Sequence, residues 1–129
     1  MRPFKLIRPT TAKEAMDAQK GNAAPYMAAG TDLLNRIKEH VASPDSVVDL
    51  KQMPGMGTIE SDGRGIWLGA LVKLTDVADH EEIQRRFPAV STTVRNAATP
   101  QIRNMATVGG NMCQKPRCWY LRHEGYPCI

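Results

Sequence analysis

Aromatic residues are scarce in this chain of 129 residues: two Phe, two Trp and three Tyr. A core is possible, because 42% of the residues are hydrophobic. Val, Leu, Ile, Met and Ala therefore have to fill most of it. Long apolar runs are missing too. No stretch approaches the roughly 20 residues needed to span a bilayer. The opening MRPFKLIRPTT lacks the apolar segment of a signal peptide. The expected compartment is cytoplasmic, with no membrane partner. Like charges never accumulate: 17 basic against 13 acidic residues give a net +4, and no run of one sign is longer than Arg85-Arg86. That excludes a basic stripe of the nucleic-acid-binding kind. Cysteine is rare and odd in number, three in all, which excludes a closed disulfide framework. No nucleophile stands with a base and no His pair has metal spacing, so no catalytic acid, base or nucleophile is assigned. His40 and His80 fall at expected helix ends, as solvated or dipole-paired side chains. Asp32 and Asp49 read as a helix cap and a strand-end acceptor.

What is present is an alternation of short elements. Phe4–Ile7 reads as a strand, followed by a helix over Lys13–Lys20. Thr10 or Thr11 caps it, with Glu14 in the capping-box position three residues after Thr11. Gly21-Asn22 ends it. A brief strand over Pro25–Ala28 leads into a turn at Ala29-Gly30. Thr31 or Asp32 opens a second helix, Leu33–His40, and SVVDL, residues Ser46–Leu50, is a buried strand. This is the rhythm of an α/β unit. Residues Thr58–Glu60 and Ile66–Leu68 read as a hairpin turning at Asp62-Gly63. From Leu74 to Ala98 the pattern is helical, with one helix starting at Thr75 or Asp76 and another with Pro88 in its first turn. Pro100 interrupts, Gln101–Met105 is one more helical turn, and no regular structure is assigned after Gly109.

Three stretches bear on chemistry. In YMAAGTDLL, Tyr26 to Leu34, a strand delivers the chain to a turn of small residues and a helix starts at once. Free backbone N–H groups there can meet an anion, and the small side chains of Ala28, Ala29 and Gly30 let a phosphate approach. A plain capped turn fits the same residues. No Walker loop or G-x-G-x-x-G fingerprint is present. In QIRNMATVGGN, Gln101 to Asn111, two glycines follow Val108 between Thr107 and Asn111. A second phosphate-contacting loop and a purely structural turn both fit, and Arg103 suits a bridge between backbone carbonyls. The third stretch holds Cys113, Cys118 and Cys128, spaced like neither a zinc site nor a ferredoxin run. Free loop thiols and iron–sulfur ligands remain open, and the nearby Lys115, Arg117 and Arg122 favour thiolate.

Together these stretches resemble one family. The order F-x-L-I-x-P-T-T-x-x-E-A, A-A-G-T-D-L-L, S-V-V-D-L, I-W-L-G-A-L-V-x-L-T-D-V and Q-I-R-N-x-A-T-V-G-G-N looks like the FAD-binding medium subunit of molybdenum hydroxylases, the xanthine dehydrogenase, aldehyde oxidoreductase and carbon monoxide dehydrogenase group. The resemblance implies an α+β fold, the N-terminal part of a vanillyl-alcohol-oxidase-type FAD-binding domain: a small βαβαβ unit followed by a hairpin and helices. It implies a first FAD-binding subdomain over residues 1–55 and the start of a second over 56–129. It assigns FAD contacts to Met27, Ala28, Ala29, Gly30, Thr31, Asp32 and Leu33, and to Thr107, Gly109, Gly110 and Asn111. The family's loop is usually A-G-G-T-D-L, so Ala29 has to keep a negative φ and hold its methyl clear of the phosphate. The tail is similar to a branch carrying a [4Fe–4S] cluster, with Cys118 and Cys128 the best-matching ligands and Cys113 a third. The implied function is electron transfer from Fe–S clusters through FAD to an acceptor. The implied partners are a molybdopterin-containing large subunit and a [2Fe–2S] small subunit. Family members are roughly twice this long, so a truncated product is expected. A cofactor-free fragment that acts as a folded or self-associating module is the alternative.

Overall fold

The computed structural model describes residues 1–22, 24–123 and 125–126. A three-stranded parallel sheet, ordered β1-β3-β2, is built from β1 (Lys5–Ile7), β2 (Tyr26–Met27) and β3 (Ser46–Asp49). β3 is central, pairing Leu6 with Val47 on one side and Tyr26 with Val48 on the other. Helices α1 (Ala12–Ala18) and α2 (Leu33–Lys38) make the crossovers. Going from β1 to β2 the chain passes β3, and going from β2 to β3 it returns. Right-handed crossovers in opposite directions put the two helices on opposite faces.

The core confirms that placement. Successive strand residues point to opposite faces. Val47 packs with Met27, Leu33 and Ile37 on the α2 side. Val48 packs with Ala15 and Ala24 on the α1 side. Both valines are fully buried, which explains why β3 reads as a continuous apolar run rather than an alternating one.

The chain then forms a hairpin of β4 (Ile59–Ser61) and β5 (Ile66–Leu68). The Asp62 carboxylate closes the loop by accepting the N–H groups of Arg64 and Gly65, both at 2.8 Å. Helices α3 (Leu74–Asp79), α4 (Glu81–Arg86), α5 (Pro88–Asn96), α6 (Pro100–Arg103) and α7 (Val108–Met112) follow. Val72, Val77 and Ile83 form their core with Ile59, Ile66, Leu68, Val94 and Val108.

Several boundaries depart from the sequence reading. The first helical stretch after the hairpin starts at Leu74 and splits at His80, whose extended backbone (ψ 118°) separates α3 from α4. Pro100 starts α6 rather than interrupting a helix, with the Thr99 hydroxyl capping Ile102 N–H. α2 ends two residues before His40, which takes a positive φ of 60°. The largest difference is α7, which runs through Gly109-Gly110 where no regular structure was expected.

Candidate functional site

The loop from Met27 to Leu33 starts at the end of β2. Met27 and Leu33 are themselves core residues, and the Met27 sulfur packs beneath Gly30, 3.3 Å from where a Cβ would stand. Gly30 has φ +83°, and a Cβ there would lie 2.8 Å from Leu34 Cδ1. The positive φ calls for glycine, and a methyl group would also displace the Leu34 side chain. Among the described residues only His40 combines a side chain with positive φ, so Ala29 keeps the negative φ its methyl demands. Gly30 and Asp32 carbonyls accept the N–H groups of Leu34 and Arg36. Among the described residues, nothing accepts the N–H groups of Ala29, Gly30, Thr31, Asp32 or Leu33. These donors are left for solvent or a ligand.

The loop around Thr107 is built differently. Lys73 and Thr107 form an isolated antiparallel bridge. Val108 N–H donates to Val72 O at 2.9 Å, and Gly109 N–H to Ala70 O at 2.8 Å. Gly110 N–H donates to Thr107 Oγ1 at 3.2 Å, and Asn111 N–H to Thr107 O at 2.8 Å. The amides of this second loop are therefore already used inside the protein. Gly109 is required by packing, because a Cβ there would lie 2.9 Å from Ala70 Cβ. Gly110 faces the other way: its Cβ would lie 3.9 Å from Ala28 Cβ.

That distance places the two loops against each other. They share a cavity of 170 Å³ lined by residues 25–33 with Arg36, Thr107, Gly110, Cys113 and Gln114. A larger cavity of 690 Å³ adjoins it through Thr31, Asp32, Gly110 and Gln114, and reaches Asn111, Thr99 and Ile102. All the expected contact residues except Gly109 and Asn111 line the smaller space; Asn111 lines the larger, and Gly109 lines neither. Sequence reasoning missed Arg36. Its Nε is buried with no hydrogen-bond partner, and among the described residues its guanidinium has no ion pair. An unpaired, partly buried cation beside open amides favours an anion. The only sequence signal was its place one turn after Asp32 on α2.

Asp32 departs from its expected role. It occupies the N-cap of α2 without capping any N–H. Its Oδ1 instead accepts Arg122 Nη2 at 2.6 Å, and Oδ2 accepts Lys115 N–H at 3.2 Å. Asp49 does act as a strand-end acceptor, for Lys51 N–H at 3.1 Å. Arg103 donates to Ala98 O and so serves backbone. Cys113 and Cys118 are free and exposed. Cys128 lies outside the described residues. Among the described residues no group of three or more His, Cys, Asp or Glu could hold a metal ion. No described helix is long and apolar enough to cross a membrane.

A parallel three-strand sheet, a hairpin and helices with two facing loops define a recognisable class. The architecture overlays carbon monoxide dehydrogenase from Hydrogenophaga pseudoflava, solved without the Mo-pyranopterin moiety of its molybdenum cofactor. The TM-score is 0.80 at 29% identity, covering 87% of this chain and 40% of that one. Residues 2–118 match the FAD binding domain in molybdopterin dehydrogenase, and the chain belongs to that family. It is 37% identical over 120 residues to the aldehyde oxidoreductase FAD-binding subunit of Escherichia coli (strain K12), covering 92% of this chain and 37% of that subunit. It is 31% identical over 115 residues to the nicotinate dehydrogenase FAD-subunit of Eubacterium barkeri, covering 87% and 39%. The chain thus spans about two fifths of the length of the relatives it matches.

Proposed function

We propose that this chain forms the diphosphate-holding part of an FAD site in a molybdenum hydroxylase of the vanillyl-alcohol-oxidase-type fold. Residues 1–55 form its first subdomain and residues 56–129 the start of its second. The observation that carries the reading is the meeting of the two loops, where a Cβ added at Gly110 would lie 3.9 Å from Ala28 Cβ. The residues present fit the group. Residues 29–33 offer unsatisfied amides, Arg36 offers an unpaired guanidinium, and Gly110 carries no side chain into the gap between Thr107 Oγ1 and Ala28 Cβ. The Thr107 hydroxyl accepts from Gly110 N–H and keeps its own proton to donate. The smaller cavity suits a phosphate pair. The larger falls within the roughly 300–1,000 Å³ of small-molecule sites and suits the rest of the cofactor.

In this reading the two loops divide the work. In the first loop, Met27 to Leu33, residues 29 to 33 grip the anion through their backbone N–H groups. Thr107 to Asn111 sets the opposite wall, held rigid by its bonds to Ala70 and Val72. Bound FAD supplies electron exchange between the Fe–S clusters of a partner and a final acceptor, and the protein holds and orients it. The partners are a molybdopterin-containing large subunit and a [2Fe–2S] small subunit. Cys113, Cys118 and Cys128 are proposed among the ligands of a [4Fe–4S] cluster in the full-length protein, which iron analysis of anaerobically prepared protein checks.

Flavin fluorescence titration tests the site. FAD is expected to bind this chain, and riboflavin, which has no phosphate, at least about tenfold more weakly. Equal binding of the two, or none by FAD, ends the diphosphate reading.

A further inference from the structure

Among the described residues, the side-chain hydrogen bonds with the greatest sequence separation, 83 to 90 residues, all join the Cys113–Arg122 segment to Asp32 and Glu39 around α2. Arg122 is the hub. Its Nη2 meets Asp32 Oδ1 at 2.6 Å and its Nη1 meets Glu39 Oε2 at 3.3 Å. Its Nε donates to Pro116 O at 3.1 Å and its Nη2 to Lys115 O at 3.3 Å, so it also braces its own segment. Lys115 N–H adds a second bond to Asp32. The Arg122 and Asp32 side chains are only 13% and 15% exposed. A paired charge in such a setting is screened less by salt than a surface pair.

The segment does more than rest on α2. Cys113 and Gln114 line the smaller cavity, and Gln114 to Arg117 line the larger. Asp32 lines both. A bare carboxylate in the wall of an anion site repels the anion. Arg122 removes that repulsion at its source.

We propose that Arg122 is a positioning residue with two linked effects: it fastens segment 113–122 as a wall of the cradle, and it cancels the Asp32 charge so that a diphosphate is admitted. The proposal rests on the flavin reading for its second effect. The first stands on the contacts alone.

The two effects separate in a set of variants of this chain: Arg122→Gln, Asp32→Asn, the double variant and Arg122→Lys. Fastening is read by tryptic cleavage of the Arg117–Cys118 bond, followed by mass spectrometry. Charge cancellation is read by FAD titration. Arg122→Gln is expected to speed cleavage and to weaken FAD binding, each on the order of tenfold. Asp32→Asn loosens the segment but leaves no charge to cancel, so FAD affinity falls less. The double variant, though loosened, binds FAD as tightly as Asp32→Asn alone and several-fold more tightly than Arg122→Gln. A purely structural role gives no such rescue. Arg122→Lys keeps the charge but loses the forked contacts, so its affinity falls no further than that of Asp32→Asn while cleavage rises.

Unchanged cleavage in Arg122→Gln, with FAD bound normally by the unmodified chain, overturns the fastening and leaves the flavin reading standing. A double variant as weak as Arg122→Gln overturns the charge cancellation. An unmodified chain that binds no FAD overturns both the flavin reading and the cancellation, while the cleavage rates still decide the fastening.

Discussion

Gly30 and Arg36 line the same cavity and should respond to mutation in opposite ways. Gly30 is fixed by its backbone: φ +83° and the nearby Leu34 side chain both oppose a methyl group. Gly30→Ala is expected to cost about 1–3 kcal/mol of stability, measured by urea unfolding. The Arg36 backbone is bonded to Asp32 and Ala42, but among the described residues its guanidinium makes no ion pair and its Nε no hydrogen bond. Arg36→Ala is expected to change stability by less than about 0.5 kcal/mol and to weaken FAD binding on the order of tenfold. Loss of stability without loss of affinity at Arg36 would make it a packing residue. The need for glycine at position 30 was legible from the small-residue turn after a strand. Arg36 was not, because its meaning lies in the partners it lacks, and sequence records no missing contacts.

Capping chemistry decides more at the scale of elements. The Thr11 hydroxyl accepts Glu14 N–H at 3.2 Å, and Glu14 Oε2 reaches back to Thr10 N–H at 2.8 Å. Thr11→Ala is expected to cost about 1 kcal/mol by the same unfolding measurement. The Thr10 backbone N–H, then its hydroxyl, hold the Glu14 carboxyl below its ordinary range. A depressed folded value stabilises the fold above the unfolded value, and the gain is lost as pH falls through the folded one. Glu14→Gln should therefore flatten the acid limb of a stability profile measured from neutral pH downward, and leave no new slope near neutrality. This cap was legible from local sequence, as was Pro88 at the start of α5. α7 was not. Gly109-Gly110 has poor intrinsic helix propensity, but Ala70 and Val72 accept its first amides from more than thirty residues away and fix the turn.

At the scale of the whole molecule, β3 is the seam between two small cores. Val47 faces α2 and Val48 faces α1, both fully buried. Alanine at either site is expected to cost about 2 kcal/mol. If the cores are independent, combining Val47→Ala with a cavity on the α1 side, such as Ala15→Gly, should give nearly additive losses. The sheet and its flanking helices were legible because strand and helix periods alternate cleanly through residue 50. The attachment of the cysteine segment to α2 was not, because Arg122 and Asp32 are 90 residues apart in sequence. Neither residue type singles out the other at that distance.

The unequal accounting of amides in the two loops has a consequence for time as well as for shape. Val108 and Gly109 protons are locked into bonds with the hairpin side of the molecule, so they should exchange with deuterium only when that lobe opens. Protons on residues 29 to 33 have no such shelter and should be replaced quickly in the free chain. One wall of the cradle is thus set while the chain folds, and the other stays unsettled until a guest arrives to quiet it.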